Sequence, residues 1–383
     1  MSKFFVSCAR GLEPICAKEL IAVGATQLTE VPGGVHFEGD QDVLYKAHLW
    51  SRTGNRFLLQ LRTFRCWHPD ELYDNLKKFK WETFFKKDLT FAVDCTLSGP
   101  KMRDLSHSQY AKLKAKDAIV DRLREKTGDR PSVDAEQPDI GVVIYIRNGE
   151  CTLYLDATGG SLHERGYRSS FAKAPLKETL AAGILQLCEW KPTQPLIDPM
   201  CGSGTFLAEA ALIAMNWAPG LLRDRFSFMN WPDFYEERWT KLAQEAASKK
   251  VPLKKGQLWG FDQDSDALKQ ARAAMKILGV ADAVQIQQQS FEKLELPEAL
   301  KTADSGGLMI LNPPYGERLG DVQELVPLYK LIGDTFKQKC KGWRGAVFTG
   351  NLDLAKSIGL KYTRRTPLFN GPIDSRLVTF DLY

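Results

Sequence analysis

The tetrapeptide Asn312-Pro313-Pro314-Tyr315 combines residue types that could do chemistry. The apolar run Gly307-Leu308-Met309-Ile310-Leu311 ahead of it reads as a buried strand, and Gly316-Glu317-Arg318 behind it as a loop. Each proline fixes its own φ and pushes the residue before it into extended geometry. The Asn312 side-chain oxygen and the Pro313 carbonyl are thereby held as two rigid acceptors at a strand end, beside the flat ring of Tyr315. Two acceptors and a ring suit a planar group bearing an NH2, such as a base amine. The same residues could equally make a stiff turn with a packed tyrosine, so the rest of the chain has to decide.

A second cluster, Asp198-Pro199-Met200-Cys201-Gly202-Ser203-Gly204-Thr205, joins the apolar Pro195-Leu196-Ile197-Asp198 to a helical pattern. Two glycines let the backbone bend sharply and let a ligand approach closely. Thr205 opens the helix, whose free N–H groups favour an electronegative group. Gly-x-Gly after a strand is a weak signal, and a plain strand–turn–helix would satisfy it. A nicotinamide dinucleotide site would want a third glycine where Leu207 stands, and an acid about 20 residues on. Hydride transfer is therefore a poor fit. Asp262, at the end of Leu258-Trp259-Gly260-Phe261, could accept both hydroxyls of a ribose. Asp264 is its rival for that role, and Asp266 reads as the N-cap of the next helix.

The elements that must position these residues fall into two patterns. Residues 4–8, 35–37 and 56–63 read as strands, with helices over Glu13–Val23 and 41–49, a βαββ-like module of about 65 residues. A second α/β stretch, 66–160, holds a long helix from Ser108 to Lys126 and strands near 90–96, 141–147 and 151–156. From about 175 strand and helix alternate: helices over Leu176–Trp190, Thr205–Met215, Asp266–Leu278 and Val326–Cys340, with strands at 195–198, 258–262, 284–288, 307–311 and 345–349, then two more near 360–367 and 376–382. Repeated β-α-β predicts a parallel, doubly wound sheet with its ligand at the carboxyl ends of the strands.

Composition narrows the classes. An apolar fraction of 44% is enough for real cores, and the net charge of +5 suits a polyanion partner without demanding one. The 8 cysteines show no CxxC pair or regular spacing, which argues against a zinc site or a disulfide scaffold and for a reducing compartment. The N-terminal MSKFFVSCARGLEP is no secretory leader, and no apolar stretch approaches a membrane span. A soluble cytoplasmic protein is expected, without metal or membrane partner; its oligomeric state is not encoded in any visible way.

The Asp-Pro-x-Cys-Gly-Ser-Gly-Thr turn, the Gly-x-Asp strand end and Asn-Pro-Pro-Tyr, in that order, resemble class I S-adenosylmethionine-dependent methyltransferases acting on exocyclic amines. The resemblance covers nearly the whole chain. Gly11-Leu12-Glu13 and Gly33-Gly34-Val35-His36-Phe37 are similar to the ferredoxin-like module of THUMP-containing RNA methyltransferases. Lys116-Asp117-Ala118-Ile119-Val120-Asp121, Arg130-Pro131-Ser132-Val133 and Pro138-Asp139-Ile140 resemble their THUMP domain. Leu162-His163-x-Arg165-Gly166-Tyr167-Arg168 and Ala174-Pro175-Leu176-Lys177-Glu178 resemble the segment leading into their catalytic domain. An aromatic insertion with Phe228, Trp231, Phe234 and Trp239 is also family-like. The nearest group makes N2-methylguanosine in large-subunit ribosomal RNA; relatives modify transfer RNA, and some members are labelled adenine-specific DNA methylases.

The resemblance implies an α/β fold: a Rossmann-like class I methyltransferase domain over 161–383, preceded by a ferredoxin-like module over 1–65 and a THUMP RNA-binding domain over 66–160. It implies S-adenosylmethionine as cofactor, held by the turn residues Asp198, Cys201, Gly202, Gly204 and Thr205 and by Asp262. The target base would lie on Asn312, Pro313 and Tyr315. Where the family usually has an Asp near the cofactor's adenine amine, this chain has Ser290, a weaker acceptor. Some relatives carry a further fused methyltransferase domain; this chain ends at Tyr383.

RNA contact is less sharply encoded. Lys112, Lys114 and Lys116 lie on the long helix, and Lys77, Lys78, Lys80, Lys86 and Lys87 interleave with Phe79, Trp81, Phe84 and Phe85. With the THUMP resemblance, Lys112 and Lys116 are the expected RNA contacts; solvated lysines over core aromatics are the plain alternative. His107 and His163 suit local hydrogen bonding, since amine methylation needs no histidine. Arg165, Tyr167 and Arg168 could border the cofactor pocket or pack between domains.

Overall fold

A computed structural model describes residues 1–86, 88–99, 105, 107–168, 176–301, 306–316 and 319–383. Lys87, Ala174, Pro175, Glu317 and Arg318, named above, lie outside the described residues.

Residues 2–65 fold as β1 (Ser2–Cys8), α1 (Glu13–Ala22), β2 (Thr26–Val31), β3 (Gly34–Gly39), α2 (Gln41–Trp50) and β4 (Gly54–Arg65). The βαββ reading is corrected to βαββαβ. The added strand, β2, is an exposed edge strand with no apolar alternation, so its sequence carries no strand signal. Next come α3 (Pro69–Lys78), β5 (Phe91–Ser98), α4 (Ser108–Thr127), β6 (Ile140–Arg147) and β7 (Glu150–Asp156). The two stretches are not separate sheets. All seven strands form one sheet in the order β2-β3-β1-β4-β7-β6-β5. The long β4 joins them, pairing with β1 at one end and with β7 over most of its length.

Alternation along these strands sends one set of side chains into a single core. Phe4, Val6, Val35, Phe37, Phe57, Val142 and Leu155 pack there with Leu20 of α1, Leu44 of α2, Leu72 of α3 and Ile119 of α4. Helices α2 and α3 are capped at their starts. Asp40 caps α2 by accepting from Val43 N at 2.9 Å, and His68 with Glu71 forms a capping box at α3.

The second half carries α5 (Glu178–Leu187), β8 (Leu196–Asp198), α6 (Thr205–Ala214), α7 (Glu236–Ser248), β9 (Leu258–Asp262), α8 (Ser265–Ile277), β10 (Val284–Gln288) and α9 (Glu298–Lys301). It ends with β11 (Leu308–Leu311), α10 (Leu319–Lys339), β12 (Arg344–Thr349), α11 (Leu352–Lys356), β13 (Arg364–Asn370) and β14 (Ile373–Asp381). The sheet order is β10-β9-β8-β11-β12-β14-β13, with the first five strands parallel, β14 antiparallel to β12 and β13 antiparallel to β14. Cores lie on both faces, one built with α5, α6 and α8 and the other with α10 and α11. Helix α10 starts well before the expected Val326, because Pro327 sits inside it; a proline removes a helical hydrogen bond and normally marks a start.

The halves are locked together. Glu19 of α1 accepts from Arg52 N (3.1 Å), Thr53 N (3.1 Å), Ser51 Oγ (3.0 Å), Thr53 Oγ1 (2.8 Å) and Gln186 Nε2 of α5 (2.8 Å). Arg165 donates to the Arg52 carbonyl at 2.7 Å and to Glu209 of α6, Nε to Oε1, at 2.8 Å. The aromatic insertion completes the joint, with Phe226, Phe228 and Trp239 packing around Tyr45 and His48 of α2. His48 is fully buried, and burial pushes its imidazole down to about 3. Its Nδ1 faces the Leu44 carbonyl at 2.8 Å and so carries the proton; Nε2 accepts from the Thr158 hydroxyl at 3.1 Å.

Candidate functional site

Strand order places the site. β8 and β11 are neighbours, with Met309 beside Ile197, but the chain runs outward from them in opposite directions, to β9 and β10 on one side and β12 on the other. That reversal is a topological switch point, and it opens a crevice at the carboxyl ends of the strands. The residues singled out for cofactor and base stand there, Ser290 after β10, Asp262 closing β9, the 198–205 turn after β8, and Asn312–Tyr315 after β11, whereas Lys112 and Lys116 lie on α4 of the first half.

The Gly-rich turn is built on Asp262. Its Oδ2 accepts from Gly202 N at 2.8 Å and its Oδ1 from Asp264 N at 3.0 Å. Each carboxylate oxygen keeps a second lone pair, so the group can still accept from a diol. Cys201 N donates to the Phe261 carbonyl at 2.9 Å, and the Cys201 side chain is buried beneath the turn, so that a Cβ on Gly260 would lie 3.1 Å from its sulfur. Gly202 and Gly204 have φ of +52° and +79°, the left-handed region that glycine enters without a Cβ clash. Gly204 also lets α6 approach α8, since a Cβ there would stand 3.0 Å from that of Ala271. Thr205 is buried at the head of α6, and its hydroxyl accepts from Arg168, which also faces Glu178 at 3.6 Å.

Asp198 is buried, with Oδ1 accepting from Met200 N at 3.3 Å. Burial pushes its carboxyl well above the usual range; the Met200 N–H opposes this and the Asp262 charge adds to it. A cationic ligand group would relieve that strain. Asp264, not Asp266, caps α8: its Oδ1 accepts from Asp266 N and Ala267 N at 2.8 and 3.3 Å. The expected N-cap at Asp266 is thus corrected by two positions, because an aspartate one position ahead of the helix can reach the free N–H groups of its first turn.

Asn312 Oδ1 is buried without a hydrogen-bond partner, while Pro313 is buried beside it. A buried acceptor left unpaired costs roughly 1–3 kcal/mol. The loop holding it is fixed from behind. Tyr329 of α10 donates to the Pro314 carbonyl at 3.3 Å and meets Thr349 Oγ1 at 2.8 Å at the end of β12. The Tyr315 ring lies against Gly350, where a Cβ would stand 3.0 Å from it.

Two contributors were not singled out from sequence. Tyr329 carries no signal beyond an aromatic in an amphipathic helix. Gln289 precedes Ser290; its Oε1 is buried without a partner, while its Nε2 donates to the Lys293 carbonyl at 2.8 Å. A glutamine after a polar strand end reads as surface, so only the packing reveals it. Ser290 itself makes no capping hydrogen bond at the short 3-10 turn Phe291–Lys293.

Of the candidates at the domain boundary, Arg165 and Tyr167 both serve the joint, the Tyr167 hydroxyl donating to Glu209 at 2.8 Å, whereas Arg168 reaches Thr205 at the glycine turn. Lys112 and Lys116 stand one turn apart on α4, near Asp94 at 3.5 Å and Asp117 at 3.6 Å. Trp81 is a core residue, its Nε1 donating to the Leu76 carbonyl at 2.7 Å. His163 bonds locally to Ser161 at 2.6 Å. His107 is exposed at the start of α4 without a capping bond. All cysteines are free thiols, and among the described residues no cluster could hold a metal ion and no helix is long and apolar enough to cross a membrane.

Comparison with known proteins matches three family models in order: an RlmL ferredoxin-like domain over residues 3–58, a THUMP domain over 68–156 and an RMKL-like methyltransferase domain over 165–379. The Synechocystis protein named "Putative RNA methyltransferase slr0064" is 40% identical over 99% of this chain and 97% of its own length. A ribosomal RNA large subunit methyltransferase K/L from Syntrophotalea carbinolica is also 40% identical over 99% of this chain. Only 53% of that relative is matched, so this chain spans about half the length of the K/L proteins. Among solved structures, "SMU.472, a putative methyltransferase complexed with SAH" superposes with a TM-score of 0.88 at 30% identity, covering 100% of this chain and 98% of that one. A Listeria monocytogenes chain named "predicted N6-adenine-specific DNA methylase" gives a TM-score of 0.85 at 30% identity, covering 100% and 96%.

Proposed function

This chain belongs to the RMKL-like family of class I S-adenosylmethionine-dependent RNA methyltransferases, with ferredoxin-like and THUMP domains ahead of its catalytic domain, and we propose that it methylates the N2 amine of a guanine in large-subunit ribosomal RNA, in the cytoplasm. The observation that carries this reading is the unpaired, buried Asn312 Oδ1 at the β8–β11 switch point. Functionally we divide the chain into 1–65, 66–160 and 161–383, although the first two units share a sheet.

S-adenosylmethionine, when bound, supplies an electrophilic methyl on a sulfonium. Asp262 would hold its ribose hydroxyls, Asp198 its ammonium, and Gly202, Gly204 and Thr205 the methionine side, with Cys201 supporting the turn from below. Ser290 and the neighbouring Gln289 Oε1 are the acceptors offered to the adenine amine. At the acceptor base, Asn312 Oδ1 and the Pro313 carbonyl take hydrogen bonds from the NH2. This favours a tetrahedral nitrogen whose lone pair points away from them. Tyr315 fixes the plane of the base by stacking, a contact worth roughly 1–3 kcal/mol. No strong base is needed, because the amine becomes acidic once methylated. Positioning supplies most of the rate, for which effective molarities reach on the order of 10⁵ M or more. Lys112 and Lys116 would meet RNA phosphates from α4.

An adenine amine would fit the same acceptors, and the THUMP half is what favours RNA. Incubating total RNA and DNA with labelled cofactor and analysing the nucleosides tests this. N2-methylguanosine in 23S RNA is expected; labelled N6-methyladenine in its place would overturn the assignment. Asn312→Ala should lower transfer at least ~100-fold with cofactor affinity nearly unchanged; activity surviving in that variant would refute the role given to Asn312.

A further inference from the structure

Helices α1 to α4 all pack on one side of the seven-stranded sheet. A sheet covered on one face usually turns polar side chains to the other. Here the second face presents the half-buried rings of Phe5, His36 and Tyr145 together with the buried Leu58 and Tyr154, none of which belongs to the core beneath the helices. Phe5 and His36 are cross-strand partners with ring centroids 4.9 Å apart, and Tyr154 lies 6.4 Å from Phe5. Burial lowers the His36 imidazole, so at neutral pH it is an uncharged ring. Over these rings lies a cavity of about 580 Å³, walled by Arg10 and Arg147, with no carboxylate among its lining residues.

A chain of contacts leads from the wall of this cavity toward Tyr315. The Arg10 guanidinium lies over the Phe369 ring, 5.1 Å from its centroid. Phe369 is on β13, and at the turn of the β13–β14 hairpin Ile373 packs on Gly350 alongside Tyr315. Rings with flanking arginines are the combination that holds single-stranded nucleic acid, the bases stacking and the cations meeting phosphates. We propose that this open sheet face binds a single-stranded RNA segment next to the target nucleotide, with bases stacked on Phe5 and His36 and with Arg10 and Arg147 on its phosphates. The inference rests on the RNA methyltransferase reading above and adds a substrate subsite to it. Methylation would then require a target with an unpaired flank.

Fluorescence anisotropy with a labelled 12-nucleotide single-stranded RNA of mixed sequence, alone and annealed to its complement, provides the test. Tight binding of the single strand and weaker binding of the duplex are expected. Phe5→Leu, which keeps the residue apolar but removes the ring, should weaken single-strand binding about tenfold with an unchanged salt slope. Arg147→Gln should reduce the slope of log affinity against log salt by about 0.7, the signature of one lost phosphate contact on a single strand. Thermal melts of both variants at the wild-type temperature keep the comparison valid, and UV crosslinking of the wild type to a 4-thiouridine strand, mapped to β1, β3 or β7, supports the proposal independently of any variant. Failure of the wild type to bind the strand, equal binding of strand and duplex, or unchanged binding in both variants overturns it. Methyl transfer to total RNA is measured alongside. Transfer by a wild type whose strand binding ignores these residues refutes the pocket and leaves the function standing; binding through them without any transfer refutes the function and keeps the pocket.

Discussion

At the scale of single residues, the crevice is defined by polar groups that the fold leaves under stress. Asn312 Oδ1 and Gln289 Oε1 are buried acceptors without partners, and Asp198 is a buried carboxyl that accepts from Met200 N at 3.3 Å. Native proteins keep few such groups, and those they keep need an explanation. A ligand with an amine for each acceptor and a cation for the carboxyl supplies one. Burial raises the Asp198 carboxyl, and the proposed contact with the cofactor's ammonium requires its ionised form. Cofactor affinity should therefore fall as pH drops through that raised value, in a window above the ordinary Asp value of ~3.9. Calorimetric titration of S-adenosylmethionine across pH checks this. Asp198→Asn should bind on the order of tenfold more weakly, with a flattened pH dependence; a slope equal to that of the wild type would assign the titration to another group. That Asn312, Asp198 and Asp262 stand at or just after strand ends was legible in the sequence, because their neighbours fix the backbone. Gln289 and Tyr329 were not, since burial and reach are properties of packing.

At the scale of elements, the glycine turn and the Asn-Pro-Pro-Tyr loop are rigid for different reasons. Prolines and the Tyr329–Thr349 pair stiffen the loop, whereas the turn depends on left-handed glycines and on the grip of Asp262 on Gly202 N. At Gly204 a side chain meets both φ strain and Ala271 of α8. Left-handed backbone costs an L-residue roughly 1–2 kcal/mol, and the contact adds to it. Gly204→Ala should thus weaken cofactor binding about tenfold or more and lower the thermal midpoint slightly. Calorimetry and a melt on the same sample check this; full affinity in the variant would mean that the turn does not need its observed geometry. Strands β9 and β10 were readable to the residue, being short apolar or alternating runs between clear breakers. Strand β2 and the first turns of α10 were not, since an edge strand has no buried face to pattern and Pro327 mimics a helix start.

At the scale of the molecule, two halves are joined by buried charge as well as by aromatic packing. Glu209 of α6 takes Arg165 and Tyr167 at 2.8 Å each, and Arg165 in turn holds the Arg52 carbonyl. Removing one partner of a buried pair strands the other, typically at a cost of 3–5 kcal/mol. Glu209→Gln should accordingly lower stability by roughly 3–5 kcal/mol, read as a shift in the denaturation midpoint; an unchanged midpoint would mean that the Glu19 bonds and the aromatic insertion hold the joint without this pair. Such a joint holds the open face of the first sheet at a set distance from Tyr315, which the use of one RNA strand by both would require. The amino-acid order by itself determined the alternation of elements, the glycine turn after β8, the Asn-Pro-Pro-Tyr loop after β11 and the family likeness, because all of these are local patterns of a few neighbouring residues. Only the tertiary structure decided that β4 fuses two modules into one sheet, that Arg165 serves the joint while Arg168 serves the turn, and that Asn312 Oδ1 is left unpaired. Those outcomes depend on pairing and burial between residues far apart in the chain, which no local pattern of side chains encodes.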